Sequence, residues 1–260
     1  MPRIITSNGS AIGYVEAGRG RATPIVFLHG VGSDKSVWHP QLEYFGKVRQ
    51  AIAFDYPGYG DSDPAPKGTT RDDYAFAILS AMDAFGIERA HICGLSLGGV
   101  VAIAMHNSAH KRCASLVLAD TFAVHPEGQA IYDRSIAASA NLRSMAEARV
   151  DVLIAQPAAP EVRSEVVETM SLIDPNSYQI GAEAVWLADQ RDRAKAIGVP
   201  ALILVGDQDL VTPPELSSEL TDLIPHARMQ LIADAGHLTN LEKAEEFNEI
   251  VDQFICEVEE

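Results

Sequence analysis

The stretch from Ile92 to Gly99 constrains the fold of this chain most, because an apolar run there ends in Gly-Leu-Ser-Leu-Gly and small and apolar residues follow. The first part is typical of a strand and the second of a helix. A serine between a strand and a helix lies on a sharp turn that lifts its hydroxyl out of the sheet, and a Cβ at either flanking glycine would collide with neighbouring backbone. The motif is short, so the rest of the sequence decides whether Ser96 is a nucleophile or a turn residue.

Short apolar runs alternate with amphipathic runs along most of the chain. This alternation predicts a mostly parallel sheet with helices on both faces. We expect strands at residues 10–17, 24–28, 49–54, 91–94, 115–119, 201–205 and 229–232. We expect helices at 71–85, 97–108 and 214–223, and a last helix in which Phe247, Ile250, Val251, Phe254, Ile255 and Val258 recur at helical spacing.

Residues 122–194 break this pattern, because apolar residues there recur at helix-like intervals and four prolines punctuate them. A crossover between parallel strands needs only about a dozen residues, and this segment is far longer. We therefore predict a helical cap at 122–194, inserted into a core formed by residues 1–121 and 195–260. A set of ordinary packing helices is the alternative.

Composition limits the function classes. The chain has 260 residues, of which 47% are hydrophobic, and a formal net charge of −16. That length and composition suit one large α/β domain, with or without an inserted subdomain. The charge repels a nucleic-acid backbone and an anionic membrane, so we expect neither as a partner.

Cysteine usage and the absence of long apolar runs indicate a compartment. Cys93, Cys113 and Cys256 are odd in number and widely spaced, which favours reduced thiols over a disulfide framework or a metal site. We see no signal peptide and no run as long as a membrane span. We therefore expect a soluble, cytoplasmic protein, and the sequence leaves its oligomeric state open.

Three other segments lie at predicted strand ends, where ligands bind in open α/β sheets. Residues 27–32 offer backbone N–H groups to a developing oxyanion, 204–213 carry carboxylates, and 235–238 contain His237. Serine, acid and histidine thus follow one another along the chain, which is the order of one known catalytic triad. From the residues alone, the acid can be Asp209 or Asp207, which point the same way in an extended segment.

Several motifs together resemble the α/β-hydrolase family over essentially the whole length of the chain. They are His29-Gly30 followed by Trp38, the block at 55–62, the serine turn at 94–98, 206–209, and Gly236-His237. Segments 33–41, 86–91, 212–214 and 237–242 are most similar to 3-oxoadipate enol-lactonases and related small lactonases and esterases. The resemblance implies an α/β-hydrolase fold, with a mostly parallel eight-stranded sheet flanked by helices and an inserted helical cap.

The resemblance also implies roles for individual residues. Ser96 is expected to be the nucleophile, His237 the base and Asp209 the acid, with Asp120 as an alternative acid site used by some relatives. The backbone N–H groups of Val31 and Leu97 are expected to form the oxyanion hole. No cofactor and no metal are expected, and the partner is a small-molecule ester or lactone, such as 3-oxoadipate enol-lactone or an N-acyl homoserine lactone.

Five aromatic residues are candidates to line the acyl pocket, although packing in the cap would explain them as well: Trp38, Phe122, Tyr132, Tyr178 and Trp186. Charge near the cap comes from Arg134, Arg143, Arg149 and Arg191, and a cation facing Ser96 would favour an anionic lactone. The competing functions are a short-chain carboxylesterase, a cofactor-free haloperoxidase with esterase activity, and a catalytically silent receptor module.

Overall fold

The computed structural model describes residues 2–260, and its centre is one sheet of eight strands. The strands are β1 (Arg3–Ile5), β2 (Ala11–Ala17), β3 (Ala22–Leu28), β4 (Arg49–Phe54), β5 (Ala90–Leu95), β6 (Cys113–Ala119), β7 (Ala201–Gly206) and β8 (Arg228–Ile232). Across the sheet they lie in the order β1-β2-β4-β3-β5-β6-β7-β8. Strand β2 is antiparallel to both of its neighbours, and the other neighbouring pairs are parallel. The predicted sheet is therefore confirmed.

The seven strands predicted from apolar runs correspond to β2 through β8. Strand β1 has no counterpart among them, because its three residues are largely exposed and show no run of burial that a sequence pattern can reveal. It pairs with β2 through Arg3 opposite Gly13 and Ile5 opposite Ala11, at the edge of the sheet.

Helices connect and cover these strands. They are α1 (His39–Phe45), α2 (Arg71–Ala84), α3 (Leu97–Ala109), α4 (Gly128–Ala138), α5 (Leu142–Leu153), α6 (Pro160–Ser171), α7 (Pro175–Trp186), α8 (Arg191–Lys195), α9 (Pro214–Leu223), α10 (Thr239–Glu242) and α11 (Ala244–Glu259). Short 3-10 helices lie at Lys35–Trp38 and His110–Arg112. No helix within residues 2–260 combines the length and apolar character needed to cross a bilayer.

Both faces of the sheet are buried. Side chains alternate along a strand, so Val26 and Leu28 of β3 join the hydrophobic core on one face while Ile25 and Phe27 join the core on the other. The first core includes residues of α2, α3, α7 and α9, and the second includes residues of α1 and α11. The strands of such a sheet read as continuous apolar runs, which is why the sequence revealed most of them.

The helices α4 to α8 lie between β6 and β7, and they fall within residues 122–194 except for Lys195, the last residue of α8. Within this segment the β-type pairing is a single antiparallel bridge between Val124 and Asp189, near its two ends. Helix α5 packs on α6, and α4 packs on α7, which also contacts α3 of the core. We keep the term cap for residues 122–194, and the division of the chain into cap and core remains our prediction.

Helix α3 lies unusually close to the sheet. A Cβ added to Gly98 would lie 2.0 Å from the Leu28 carbonyl oxygen, and one added to Gly94 would lie 2.2 Å from the Gly98 carbonyl oxygen. Neither contact leaves room for a methyl group. The glycines of the serine motif are therefore required by backbone packing.

Gly98→Ala is expected to lower the free energy of unfolding by about 3 kcal/mol or more, because the new methyl group must displace the backbone of β3. The matched control is Gly198→Ala, where a Cβ meets nothing within 4 Å. That variant is expected to be neutral or slightly more stable, since alanine lowers the entropy of the unfolded chain. Urea denaturation measures both, and equal effects would contradict the close-packing argument.

Candidate active site

Ser96 occupies the turn between β5 and α3 in a strained conformation. Its φ is +54° and its ψ is −114°, a region that residues with a side chain rarely adopt. Hydrogen bonds of the serine backbone hold the turn. The Ser96 N–H donates to the Ala119 carbonyl at 2.9 Å, and the Ser96 carbonyl accepts from the Gly99 N–H at 2.9 Å and from the Thr121 hydroxyl at 2.8 Å. The surrounding backbone thus fixes the direction of the serine side chain.

A buried hydrogen-bond network joins Asp209 to His237. The His237 Nδ1–H donates to Asp209 Oδ2 at 2.8 Å, which leaves the other ring nitrogen, Nε2, without a proton in the neutral imidazole. The Thr212 hydroxyl donates to the same carboxylate oxygen at 2.7 Å. The N–H groups of Val211 and Thr212 donate to Oδ1 at 2.7 and 2.9 Å. Each oxygen of this carboxylate therefore accepts two hydrogen bonds.

These contacts keep Asp209 ionised. Burial alone would raise the pKa of Asp209, but the charge of His237 and the hydrogen bonds from His237 and Thr212 outweigh it and hold the pKa below its usual range. The carboxylate can therefore accept the His237 proton donor throughout the neutral pH range.

Asp120 and Asp207 form hydrogen bonds with residues other than His237. The Asp120 carboxylate accepts the Gly206 N–H at 3.0 Å and the Thr239 hydroxyl at 2.5 Å, so it joins the end of β7 to α10. Asp207 is exposed, and its N–H donates to the Ile232 carbonyl at 3.0 Å. Of the three acids that the sequence offered, Asp209 is the one that contacts His237.

Ser96 and His237 line the same cavity, whose volume of about 50 Å³ has room for a few water molecules. Both side chains are almost completely buried. Within residues 2–260 the Ser96 hydroxyl has no hydrogen-bond partner. Catalytic hydrogen bonds are often long in a free enzyme and shorten when substrate binds, so this geometry is compatible with a serine–histidine pair.

The loop after β3 passes directly beside Ser96. A Cβ on Gly30 would lie 3.5 Å from the Ser96 Cβ, and Val31 lines the cavity. Leu97 is the first residue of α3, so its N–H has no partner within the helix. Val31 and Leu97, the residues expected to supply the two backbone donors, thus lie beside the serine.

His29, the first residue of this loop, holds it in place through two hydrogen bonds. Its Nδ1–H donates to the Gly30 carbonyl at 2.8 Å, and the Tyr56 N–H donates to its Nε2 at 3.4 Å. Burial lowers the pKa of His29 despite the nearby charge of Asp55, so the ring is neutral and suits this donor and acceptor pattern. The Lys35 ammonium forms ion pairs of 2.6 Å with Asp55 and Asp61, which anchors the chain just after this loop.

The aromatic residues expected in the pocket divide into two groups. Tyr178 and Trp186 line the cavity. The other three are not among the residues that line it. Trp38 stacks on Phe27 with ring centroids 4.9 Å apart, Phe122 stacks on Trp186 at 5.9 Å, and Tyr132 of α4 packs against the first hydrophobic core. Their rings pack against other apolar side chains, and such packing buries a large apolar side chain as well as a pocket does.

Aliphatic residues form much of the remaining cavity wall, together with a few polar side chains that include one arginine. The remaining lining residues include Leu153, Val166, Met170, Leu241 and Arg149. The sequence did not single out the aliphatic ones, because core and pocket positions share one apolar pattern. It also gave no role to the Thr212 hydroxyl on Asp209, for which the Thr-Pro pair shortly after the acid was the available signal. No cluster of His, Cys, Asp and Glu suited to a metal ion occurs in the described part of the chain.

With this geometry in place, the class of the protein follows. A sequence profile of the alpha/beta hydrolase family matches residues 25–250, and the chain belongs to that family. The enol-lactonase from Burkholderia xenovorans LB400 has a similar structure, with a TM-score of 0.90 and 30% identity over 98% of this chain and 100% of that one.

Two further relatives span nearly the full length. The 3-oxoadipate enol-lactonase 1 of Acinetobacter baylyi is 26% identical over 266 residues, covering 98% of this chain and 97% of its own. Est816, described as an N-acyl homoserine lactone degrading enzyme, has a TM-score of 0.85 and 26% identity over 97% of this chain and 100% of that one. The resemblance to enol-lactonases and related enzymes is therefore confirmed.

Asp120→Asn is expected to raise the free energy of unfolding, and to raise it more at pH 8 than at pH 5. Burial and the charge of Asp209 raise the pKa of Asp120 well above its usual range, although its hydrogen bonds lower it. In the unfolded chain Asp120 loses its proton at a lower pH than in the folded protein, so rising pH between those two pKa values destabilises the wild type.

An asparagine amide has the shape of the protonated carboxyl and no charge to bury, so rising pH does not destabilise the variant in this way. Urea denaturation at the two pH values measures the effect. A difference between variant and wild type that stays constant from pH 5 to pH 8 would contradict the raised pKa.

Proposed function

We propose that this protein is a serine hydrolase that opens a lactone or cleaves a small carboxylic ester through an acyl-enzyme. The observation that carries the proposal is the strained Ser96 turn facing the same cavity as the buried His237–Asp209 pair. Relatives named as enol-lactonases and as an N-acyl homoserine lactone degrading enzyme support this class of substrate.

Acylation begins when the Ser96 hydroxyl attacks the carbonyl carbon. His237 Nε2 takes the serine proton as general base, and Asp209 holds the ring in the required tautomer and stabilises the imidazolium that forms. The hydrogen bond of 2.8 Å between His237 Nδ1 and Asp209 Oδ2 supports these roles. The imidazolium then returns the proton to the leaving alcohol.

The tetrahedral intermediate carries a negative oxygen that needs donors. The N–H groups of Val31 and Leu97 supply them, and one such donor typically contributes roughly 3–4 kcal/mol to transition-state stabilisation. In the second half of the reaction, His237 activates water, which releases the acid. With a lactone the alcohol stays attached to the acyl group, so hydrolysis competes with ring closure.

Ser96→Ala should lower kcat by about 10⁴–10⁶-fold, because members of a triad act as a unit. The measurement is turnover of p-nitrophenyl acetate, with circular dichroism to establish that the variant is folded. A folded variant that keeps more than about a tenth of the wild-type rate contradicts a serine mechanism. Wild-type protein with no turnover above background would instead support the silent receptor module.

Asp209→Asn should be far more damaging to kcat/KM than Asp207→Asn, because Asp209 alone of the two bonds to His237. The amide introduced by Asp209→Asn can place its NH₂ group against Nδ1 and so favour the wrong tautomer; loss of the acid in this way costs about 10⁴-fold in a serine protease. Asp207, which is exposed and two residues earlier, is the matched control. Equal losses in the two variants would overturn the assignment of the acid.

The arginines of the cap differ in what they face. Arg134, Arg143 and Arg191 pair with Glu127, Glu168 and Asp189 at 4.0, 2.8 and 2.6 Å. Arg149 instead donates to the Tyr178 hydroxyl at 3.4 Å and is the one lysine or arginine among the described residues that line the cavity. Together with Val211 it also lines a neighbouring groove of about 770 Å³.

This placement favours a substrate with a negative group. A guanidinium in a largely apolar cavity gains most from a carboxylate, which accepts two of its N–H groups. Glu165 also lines the cavity, so the ligand's negative group must approach from the Arg149 side. A lactone that bears a carboxylate, such as 3-oxoadipate enol-lactone, meets this requirement better than an uncharged ester.

Arg149→Met should raise KM for 3-oxoadipate enol-lactone about 10–100-fold, the usual effect of losing a hydrogen bond to a charged group. It should leave KM for p-nitrophenyl butyrate and uncharged γ-lactones nearly unchanged. Arg143→Met, on the same helix but paired with Glu168, is the control. Equal changes for charged and uncharged substrates would contradict carboxylate recognition, and wild-type efficiency that is highest on p-nitrophenyl butyrate would favour a short-chain carboxylesterase.

A further inference from the structure

The loop that carries His237 is in direct backbone contact with the cap segment that follows α5. The His237 N–H donates to the Leu153 carbonyl at 2.9 Å. A Cβ on Gly236 would lie 2.7 Å from the Ala155 nitrogen and 2.9 Å from the Ile154 carbonyl carbon, so no side chain fits between the two segments. Leu153 and Leu238 both line the catalytic cavity, which makes this contact part of the wall beside the base.

One carboxylate bridges the two segments. Glu242 Oε2 accepts the Ala155 N–H at 2.7 Å, and its Oε1 accepts the Gly236 and Leu238 N–H groups at 3.0 and 3.2 Å. A charged acceptor makes stronger hydrogen bonds than a neutral one. Glu242 thus binds the cap backbone with one oxygen and both neighbours of His237 with the other.

A purely local role would not need all of these contacts. Glu242 ends the short helix α10, and its bonds to Gly236 and Leu238 resemble the capping of a helix N-terminus by a side chain from the first turns. Such capping uses Oε1 alone. The bond from Oε2 reaches a residue 87 positions away, in the cap.

We infer that Glu242 is a positioning residue that couples closure of the cap to the placement of His237. The inference rests on the proposed function, in which His237 is the base. When residues 153–155 lie against the loop, Glu242 and the Leu153 carbonyl hold His237 in place. When they move away, the loop loses the His237–Leu153 bond and Glu242 loses its cap donor, so the base is fully held only under a closed cap.

Glu242→Gln separates the two halves of this bridge. A glutamine amide keeps one acceptor oxygen and places an NH₂ group where the other oxygen stood. Because two donors meet Oε1 and one meets Oε2, the amide oxygen is expected to remain with Gly236 and Leu238 while the NH₂ group faces the Ala155 N–H. The variant then loses the hydrogen bond to the cap and keeps the two bonds to the loop, whereas Glu242→Ala loses all three.

Amide hydrogen exchange followed by NMR tests the bridge without any need for turnover. In Glu242→Gln we expect the Ala155 amide to exchange about tenfold faster or more, with Gly236 and Leu238 nearly unchanged, since loss of a charged hydrogen bond eases local opening. In Glu242→Ala all three amides should exchange faster. Glu245→Gln, the same substitution at an exposed residue of α11, is the control and should match the wild type.

Steady-state kinetics add a readout that simple destabilisation would not move. We expect Glu242→Gln to raise KM about tenfold on the best lactone, with kcat within about threefold, because the loop still holds the base; Glu242→Ala should lower kcat as well. Wild-type exchange at Ala155 in a folded Glu242→Gln variant overturns the inference, as does a lower melting temperature with unchanged KM and kcat in both variants.

The two proposals fail in different ways. If Ser96→Ala stays active, the serine mechanism fails, while faster exchange at Ala155 still establishes the bridge between cap and loop and removes only its catalytic consequence. If Ser96→Ala is inactive and exchange at Ala155 is unchanged, the coupling fails and the serine mechanism stands. Should Glu242→Ala not fold, Glu242→Gln and its control decide the matter alone.

Discussion

The contact between the backbone of α3 and the neighbouring strands is the constraint on which the rest of the molecule depends. Gly98 lies against the Leu28 carbonyl of β3, and Gly94 of β5 lies against the Gly98 carbonyl. Ser96 adopts its positive φ at this point of close approach, directly before the first residue of α3. The loop after β3 passes beside the serine, so the expected nucleophile and the two expected oxyanion donors lie on neighbouring, closely packed elements.

Most of the fold could be predicted from the sequence, because strands that are buried on both faces of the sheet appear as apolar runs. The location of the site could be predicted from the sequence as well. Ser96, Asp209 and His237 each follow a strand, and the carboxyl ends of parallel strands meet at one edge of the sheet. What distinguished Asp209 from Asp207 was spacing known from relatives, since a local pattern does not reveal which carboxylate reaches a residue 28 positions away.

Other features depend on tertiary contacts that leave no local trace. Trp38 is as large as a pocket residue needs to be, but its direction follows from Phe27 on a separate strand. Arg143 and Arg149 lie on one helix, but Arg143 pairs with Glu168 of α6 while Arg149 lines the cavity. The Glu242 bridge is still less visible, because its donors are backbone N–H groups that every residue except proline possesses.

The three cysteines differ in what they offer to reagents. Cys93 and Cys113 are buried in β5 and β6, and burial raises the pKa of the Cys113 thiol to about 12 and that of Cys93 well above its usual range. Neither supplies the thiolate that reacts with electrophiles. Cys256 is exposed on α11, outside the cap. A maleimide dye or a gold surface therefore couples to the folded protein at one defined point, on a residue that does not line the cavity.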